Sequence, residues 1–184
     1  MPDAYLIGAG QSPFGSFPEE SYRSLFETAY GRALDSIPGD FDTDQIDEAY
    51  LGTLGVGGRQ IGLSAPAVTE HVGLHGIPTT RVENACSASG FAFRDAVMAV
   101  KSGMADVVLA GGYEAMTDTS SHHTKWWLGG SAETAWERMS GTTLTGVYAQ
   151  MASAHLAEYD VEPTAPSPVP LTTHKHRAPN HTPP

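Results

Sequence analysis

The chain has a single cysteine, three lysines, and no apolar run approaching the length of a membrane span. Each shortage excludes something. One cysteine cannot form an internal disulfide, which suits a reducing compartment, and the cytoplasm is expected. No stretch of about 18 apolar residues exists, so no membrane-crossing helix is expected, and the N-terminus lacks the basic-then-apolar pattern of a secretion signal. With only Lys101, Lys125 and Lys175 against many acidic residues, the formal net charge is −11. That charge argues against nucleic acid or an anionic membrane surface as partner. What remains is 184 residues, 40% hydrophobic and 17% charged, which suits one domain with a sizeable core.

Strand and helix patterns alternate along most of the chain. Ala4–Ala9 reads as a short apolar strand. Glu19–Ser36 reads as a helix, with Leu25, Phe26, Ala29, Ala33 and Leu34 near helical spacing and Pro38-Gly39 as its stop. Strands are expected at Glu48–Leu54, Thr79–Asn84 and Asp106–Gly112, and helices at Ser64–Leu74, Ser87–Ser102 and Val147–Tyr159. This order implies right-handed crossovers and a mostly parallel sheet. Ser87–Ser102 is small or apolar almost all round, which predicts a helix buried between layers. Thr117–Thr145 shows little periodicity and reads as an irregular insertion. From Glu162 onward prolines crowd among His and Thr, and a disordered tail is expected.

The lone cysteine stands in Val82-Glu83-Asn84-Ala85-Cys86-Ser87-Ala88-Ser89-Gly90, where a β-branched strand gives way to a helix. A thiol there faces unpaired N–H groups and the positive end of the helix dipole, which favour the nucleophilic thiolate. The small residues after it let a substrate and backbone donors approach closely. The plain alternative is a small buried hydrophobe. Further on, Val107-Val108-Leu109-Ala110-Gly111-Gly112-Tyr113-Glu114-Ala115-Met116 reads as a strand ending in A-G-G-x-E-x-M.

Together these two segments, with Ile7-Gly8-Ala9-Gly10-Gln11-Ser12-Pro13-Phe14-Gly15, resemble the thiolase superfamily over residues 4 to 160 or so. Val82-Glu83 in place of the more common V-N is similar to the sterol-carrier-type branch. The resemblance implies a thiolase-like layered α/β sandwich, present as an N-terminal half with an incomplete sheet. It implies division into 1–116 as the α/β domain, 117–161 as the start of a substrate-covering loop region, and 162–184 as the tail. It implies acyl transfer through a thioester on Cys86, forming or cleaving a 3-ketoacyl-coenzyme A such as acetoacetyl-coenzyme A. Coenzyme A thioester is then substrate, and no separate cofactor is expected.

The same family uses a histidine in G-H-P, a second cysteine in C-x-G and a further polar motif, all in its second half. This chain has no Gly-His-Pro and no second cysteine. It is therefore expected to be inactive alone. Its expected partners are an acyl-coenzyme A, a second copy, or a chain supplying the thiolase C-terminal half, and a non-catalytic scaffold is the alternative class. An exposed sheet edge and poor solubility are expected of the isolated chain. The tail departs from the family at the point where a further helix would follow, and a shifted reading frame is the expected cause.

Other candidates rank lower. His71 and His75 stand at i, i+4, a spacing able to hold metal, but no third ligand is near and no metal site is expected. His122-His123 and Trp126, Trp127 and Trp136 either contact substrate or simply pack. Glu83 and Glu114 read as buried structural carboxylates, and Gly111-Gly112 as a close approach of backbones.

Overall fold

The computed structural model describes residues 3–56, 60–117, 119–141, 143–162, 164 and 168–177. Three strands, β1 (Glu48–Gly52), β2 (Thr79–Val82) and β3 (Val108–Gly112), form one sheet in the order β2-β1-β3. Both pairings are parallel, with Ala49 beside Thr79 and Leu109. Parallel neighbours need long crossovers, and helices supply them. Helix α2 (Ser64–His71) lies between β1 and β2 in sequence, and α3 (Ala88–Ser102) between β2 and β3. Helix α1 (Tyr22–Asp35) precedes the sheet and begins at a capping box, in which Ser21 and Ser24 bond each other's backbone N–H.

The layers follow from adjacent glycines. Gly111 faces the Phe26 ring on α1, whereas Gly112 faces Ser89 on α3. Successive residues of a strand point to opposite faces, so α1 and α3 cover opposite sides of the sheet. The α1 side holds the main core, in which Phe26, Tyr30, Leu51, Ala65, Val68 and Leu74 pack together. The α3 side is a seam of alanines: Ala88, Ala92, Ala96 and Ala99 are buried. Small side chains there let the helix backbone lie close to the strands. The layered α/β arrangement with a short sheet is the architecture expected.

Several elements differ from the sequence reading. Ala4–Ala9 joins no ladder among the described residues. It lies instead along α1, where Ala9 N–H donates to Ser36 Oγ at 2.9 Å and Arg32 donates to the Gln11 carbonyl at 2.8 Å. A strand needs a strand beside it, and none is adjacent. Helix α3 is covered on one side only: Phe93 and Met98 are each about half exposed. The expected burial between layers therefore holds on the alanine side, while the opposite side is half exposed.

By chain contacts the protein divides into two units, one ending at Thr124 and one starting at Lys125. The boundary falls inside α4 (Ser121–Leu128), in the stretch read as irregular. A five-residue π-turn, Thr134–Arg138, follows. Elements of one or two turns are too short to show a period. Helix α5 (Leu144–Glu158) is capped by Thr143 and buries none of its residues; Met151 and Ala154 are exposed. The expectation of no regular structure after Glu162 is corrected over α6 (Pro168–Arg177). Pro168 and Pro170 fall in its first turn, where backbone N–H groups have no intrahelical partner to lose. The other tail residues beyond Thr164 lie outside the described residues. No described helix is long and apolar enough to cross a membrane.

One contact at the start of β3 gives a pH prediction. The Asp47 carboxylate accepts from Asp106 N–H at 2.7 Å and Val107 N–H at 3.0 Å. These bonds hold its pKa below the ordinary 3.8. Its stabilising effect is then complete above the ordinary value and is lost as pH falls through the lowered one. Asp47→Asn is expected to lower the melting temperature at pH 7, with the gap to wild type closing below about pH 4. Thermal melts of both proteins at several pH values check this.

Candidate active site

The carboxyl ends of parallel strands, where ligands bind in open α/β sheets, gather the candidate residues here. Gly52 and Gly112 end β1 and β3, and the first turn of α3 rests directly on them. A Cβ added to Gly52 would stand 2.5 Å from the Ala88 carbonyl carbon and 2.7 Å from Ser89 Cα. At Gly111-Gly112 the expected approach of strand and loop backbones is not what is found: Gly112 meets the Ser89 side chain of α3, and Gly111 the side chains of Phe26 and Leu51.

Cys86 sits just ahead of this contact. It lies in the 3-10 turn Ala85–Ser87, not on α3, which starts at Ala88. Its side chain is exposed, which discards the buried-hydrophobe reading. Ala85 has φ 47°, a left-handed conformation that costs a residue with a Cβ about 1 kcal/mol. Neighbouring bonds hold it there. The Glu83 carboxylate accepts from Ala85 N–H at 2.7 Å, and Ser87 donates both N–H and hydroxyl to the Asn84 carbonyl at 3.0 and 2.7 Å. The chain therefore reverses sharply between β2 and α3 with Cys86 at the tip. Ser87, the residue before α3, makes no side-chain cap bond. The Ala88 N–H that opens α3 is taken by the Ala85 carbonyl, and the N–H groups that follow it in a helix's first turn have no intrahelical acceptor. Backbone strain at a residue adjoining a candidate nucleophile is where function stores it.

The floor beside this turn is clamped by residues the sequence reading left without a role. Glu114, just past β3, accepts from Leu54, Gly55 and Val56 N–H at 2.8, 3.3 and 2.7 Å and from Thr53 Oγ1 at 3.1 Å. It is a structural carboxylate as expected, but both it and Glu83 are exposed rather than buried. Arg81 on β2 donates to the Thr53 and Leu54 carbonyls at 3.1 and 3.3 Å. Gln60, almost fully buried, bridges the Val56 carbonyl and Ala115 N–H. Tyr113 and Ser64 share a hydroxyl contact at 2.7 Å, and burial raises the Tyr113 pKa. Together these tie the turn after β1 to the segment after β3. Glu114→Ala leaves four donors to find new acceptors, and an unfolding free energy lower by about 2 kcal/mol is expected in urea titration. Spacing gave no hint of this clamp, because Glu114 lies about 60 residues from its partners.

The histidines do not converge. Helix α2 ends at His71, so His75 falls beyond it and the expected i, i+4 pair is not formed. His71 instead meets Glu27 at 2.9 Å. No metal-holding cluster occurs among the described residues. His122 and His123 lie exposed on α4. Trp126 packs edge-on against Trp127 and under the Arg138 guanidinium, 4.6 Å from its centre, and Trp136 is exposed.

The layered α/β arrangement, with a parallel sheet and a strand-turn-helix elbow presenting a thiol, is thiolase-like. The solved 3-oxoacyl-[acyl-carrier-protein] synthase III from Aquifex aeolicus has that fold, with TM-score 0.52 and 20% identity over 61% of this chain and 45% of its own. The family model for the thiolase N-terminal domain matches residues 4–163, and the chain belongs to the thiolase family. Acetyl-CoA acetyltransferase of Methanocaldococcus jannaschii is 39% identical over 163 residues, spanning 86% of this chain and 40% of its own length. The protein of the same name from Methanothermobacter thermautotrophicus is 34% identical, over 86% and 41%. The chain thus spans about two fifths of the length of these relatives, in keeping with an N-terminal half.

Proposed function

We propose that this chain is the nucleophile-bearing part of a thiolase that forms or cleaves a 3-ketoacyl-coenzyme A, acetoacetyl-coenzyme A in the first instance. The observation that carries this reading is the exposed Cys86 at the tip of a strained elbow, in front of the first turn of α3. In the degradative direction the Cys86 thiolate attacks the ketone carbonyl of the 3-ketoacyl thioester. The bond between that carbon and the α-carbon breaks, and the α-carbon takes a proton as acetyl-coenzyme A leaves. The thiolate of a free coenzyme A then attacks the acyl-enzyme, releasing a second acyl-coenzyme A and restoring Cys86. First-turn N–H groups of α3 that lack an intrahelical acceptor are the donors proposed for the oxyanion formed in each step.

A base for the coenzyme A thiol and an acid for the leaving carbanion are both required, and the residues around Cys86 offer no histidine or second cysteine for them. Both are proposed to come from the part of the family pattern that this chain does not span. The test uses the segment of the M. jannaschii relative that follows its matched part, co-expressed with this chain. Turnover of acetoacetyl-coenzyme A with coenzyme A is expected from the pair and not from the chain alone. Turnover by the chain alone, or none by a purified pair, contradicts the reading.

A further inference from the structure

Glu114 stands just past the end of β3, where the crossovers of the sheet change sides. Helix α2, which carries the chain from β1 to β2, shares the core of α1, whereas α3, which carries it from β2 to β3, covers the opposite face. In the order β2-β1-β3 the switch therefore falls between the carboxyl ends of β1 and β3, the crevice that binds ligands in open α/β sheets. The Glu114 side chain spans that crevice.

Both legs of the Cys86 elbow are seated on Gly52–Leu54, across the crevice from Glu114. The leg that leaves β2 is bonded to them: Thr53 N–H donates to the Val82 carbonyl at 3.1 Å, and Arg81 donates to the Thr53 and Leu54 carbonyls. The leg that enters α3 packs on them, with Ala88 and Ser89 against Gly52. Glu114 holds this seat from the other side. Its Oε2 accepts from Thr53 Oγ1, Leu54 N–H and Gly55 N–H, and its Oε1 accepts from Val56 N–H. Gly55, at φ 86°, lets these successive N–H groups converge on one anion. Arg81 thus grips the carbonyls of the turn and Glu114 its N–H groups. Every group facing Glu114 is a donor, so an amide in its place would set its own N–H2 against one of them. These bonds go to the turn and not to Cys86, and an effect on the thiol passes through Gly52–Leu54.

We infer that Glu114 is a positioning residue for acyl transfer at Cys86. By fixing Gly52–Leu54 it sets the two legs of the elbow against each other, and with them the sulfur against the first turn of α3. The inference rests on the thiolase reading of Cys86. Misplacement by about 1 Å between a nucleophile and its oxyanion donors costs about 10²-fold in rate. The same misplacement leaves an exposed thiol as reachable as before.

The test compares two reactions of the same sulfur in the co-expressed pair described above, carrying either the wild-type chain or Glu114→Gln. In acetylation by acetyl-coenzyme A the Cys86 thiolate adds to the thioester carbonyl, an oxyanion forms, and coenzyme A leaves as its thiolate. In alkylation by iodoacetamide the thiolate forms a C–S bond and iodide leaves, with no oxyanion to align. Both rates are read by peptide mapping and taken per folded molecule, with the folded fraction from a thermal melt. In Glu114→Gln acetylation is expected to slow about tenfold or more while alkylation stays within about twofold. Thr53→Val removes one donor to Glu114 and keeps the side-chain shape; acetylation is expected to slow about threefold with alkylation unchanged. This milder variant decides the outcome if Glu114→Gln does not fold. Acetylation that merely follows the folded fraction, or acetylation and alkylation that fall together, overturns the inference and leaves Cys86 as the nucleophile. A wild-type Cys86 that is never acetylated, whether or not the pair forms, sinks the functional reading and this inference with it.

Discussion

Cys86→Ala, in the co-expressed pair, is expected to cut thiolytic turnover by about 10³-fold or more while leaving stability within about 0.5 kcal/mol. The two effects separate because the side chain is exposed and contributes little packing. Its surroundings are maintained by others: Glu83 and Asn84 hold the elbow through backbone bonds, and none of these involves the sulfur. A cysteine conserving structure would behave in the opposite way, with melting falling and turnover following it. Steady-state kinetics and a thermal melt on the same preparation read both quantities. A variant that keeps a tenth or more of wild-type turnover removes Cys86 from the chemistry.

Gly52→Ala has the largest expected effect on the fold. The added methyl would press on the Ala88 carbonyl carbon and Ser89 Cα, which are backbone atoms at the start of α3 and have no side-chain freedom with which to yield. Overpacking of this kind costs about 3 kcal/mol, read as a lowered midpoint in urea. The same displacement lifts the first turn of α3 away from the ends of β1 and β3. Acylation of Cys86 is therefore expected to fall further than the loss of folded protein explains. Gly39→Ala, whose added Cβ has open space around it, separates this from a general glycine effect: its positive φ makes it mildly destabilising, with acylation of the folded fraction unchanged.

How far the sequence speaks depends on how local the determining contacts are. The three parallel strands and α3 were legible because each carries its own pattern: β-branched Thr79-Thr80-Arg81-Val82, or alanines every three to four residues facing the sheet. The elbow was legible through the small residues that flank Cys86. Ala4–Ala9 carries an equally good strand pattern, yet pairing depends on a neighbour far away in the chain or outside it. Helices α4 and α6 escaped because eight to ten residues with mixed polarity, or with two prolines in the first turn, look like loop. The Glu114 clamp was invisible for the reason that hides most tertiary contacts: its four donors belong to another strand's end. The reading of α3 as a helix buried between layers holds on its alanine side, while Phe93 and Met98 remain half exposed.

Peptide mapping of the co-expressed pair after exposure to acetyl-coenzyme A, with no free coenzyme A present, tests the proposed chemistry most directly. An acetyl group is expected on the peptide containing Cys86, stable until coenzyme A is added and then lost as acetyl-coenzyme A forms. A pair that turns over acetoacetyl-coenzyme A while Cys86 stays unmodified, or that carries the acetyl group on another residue, would contradict it.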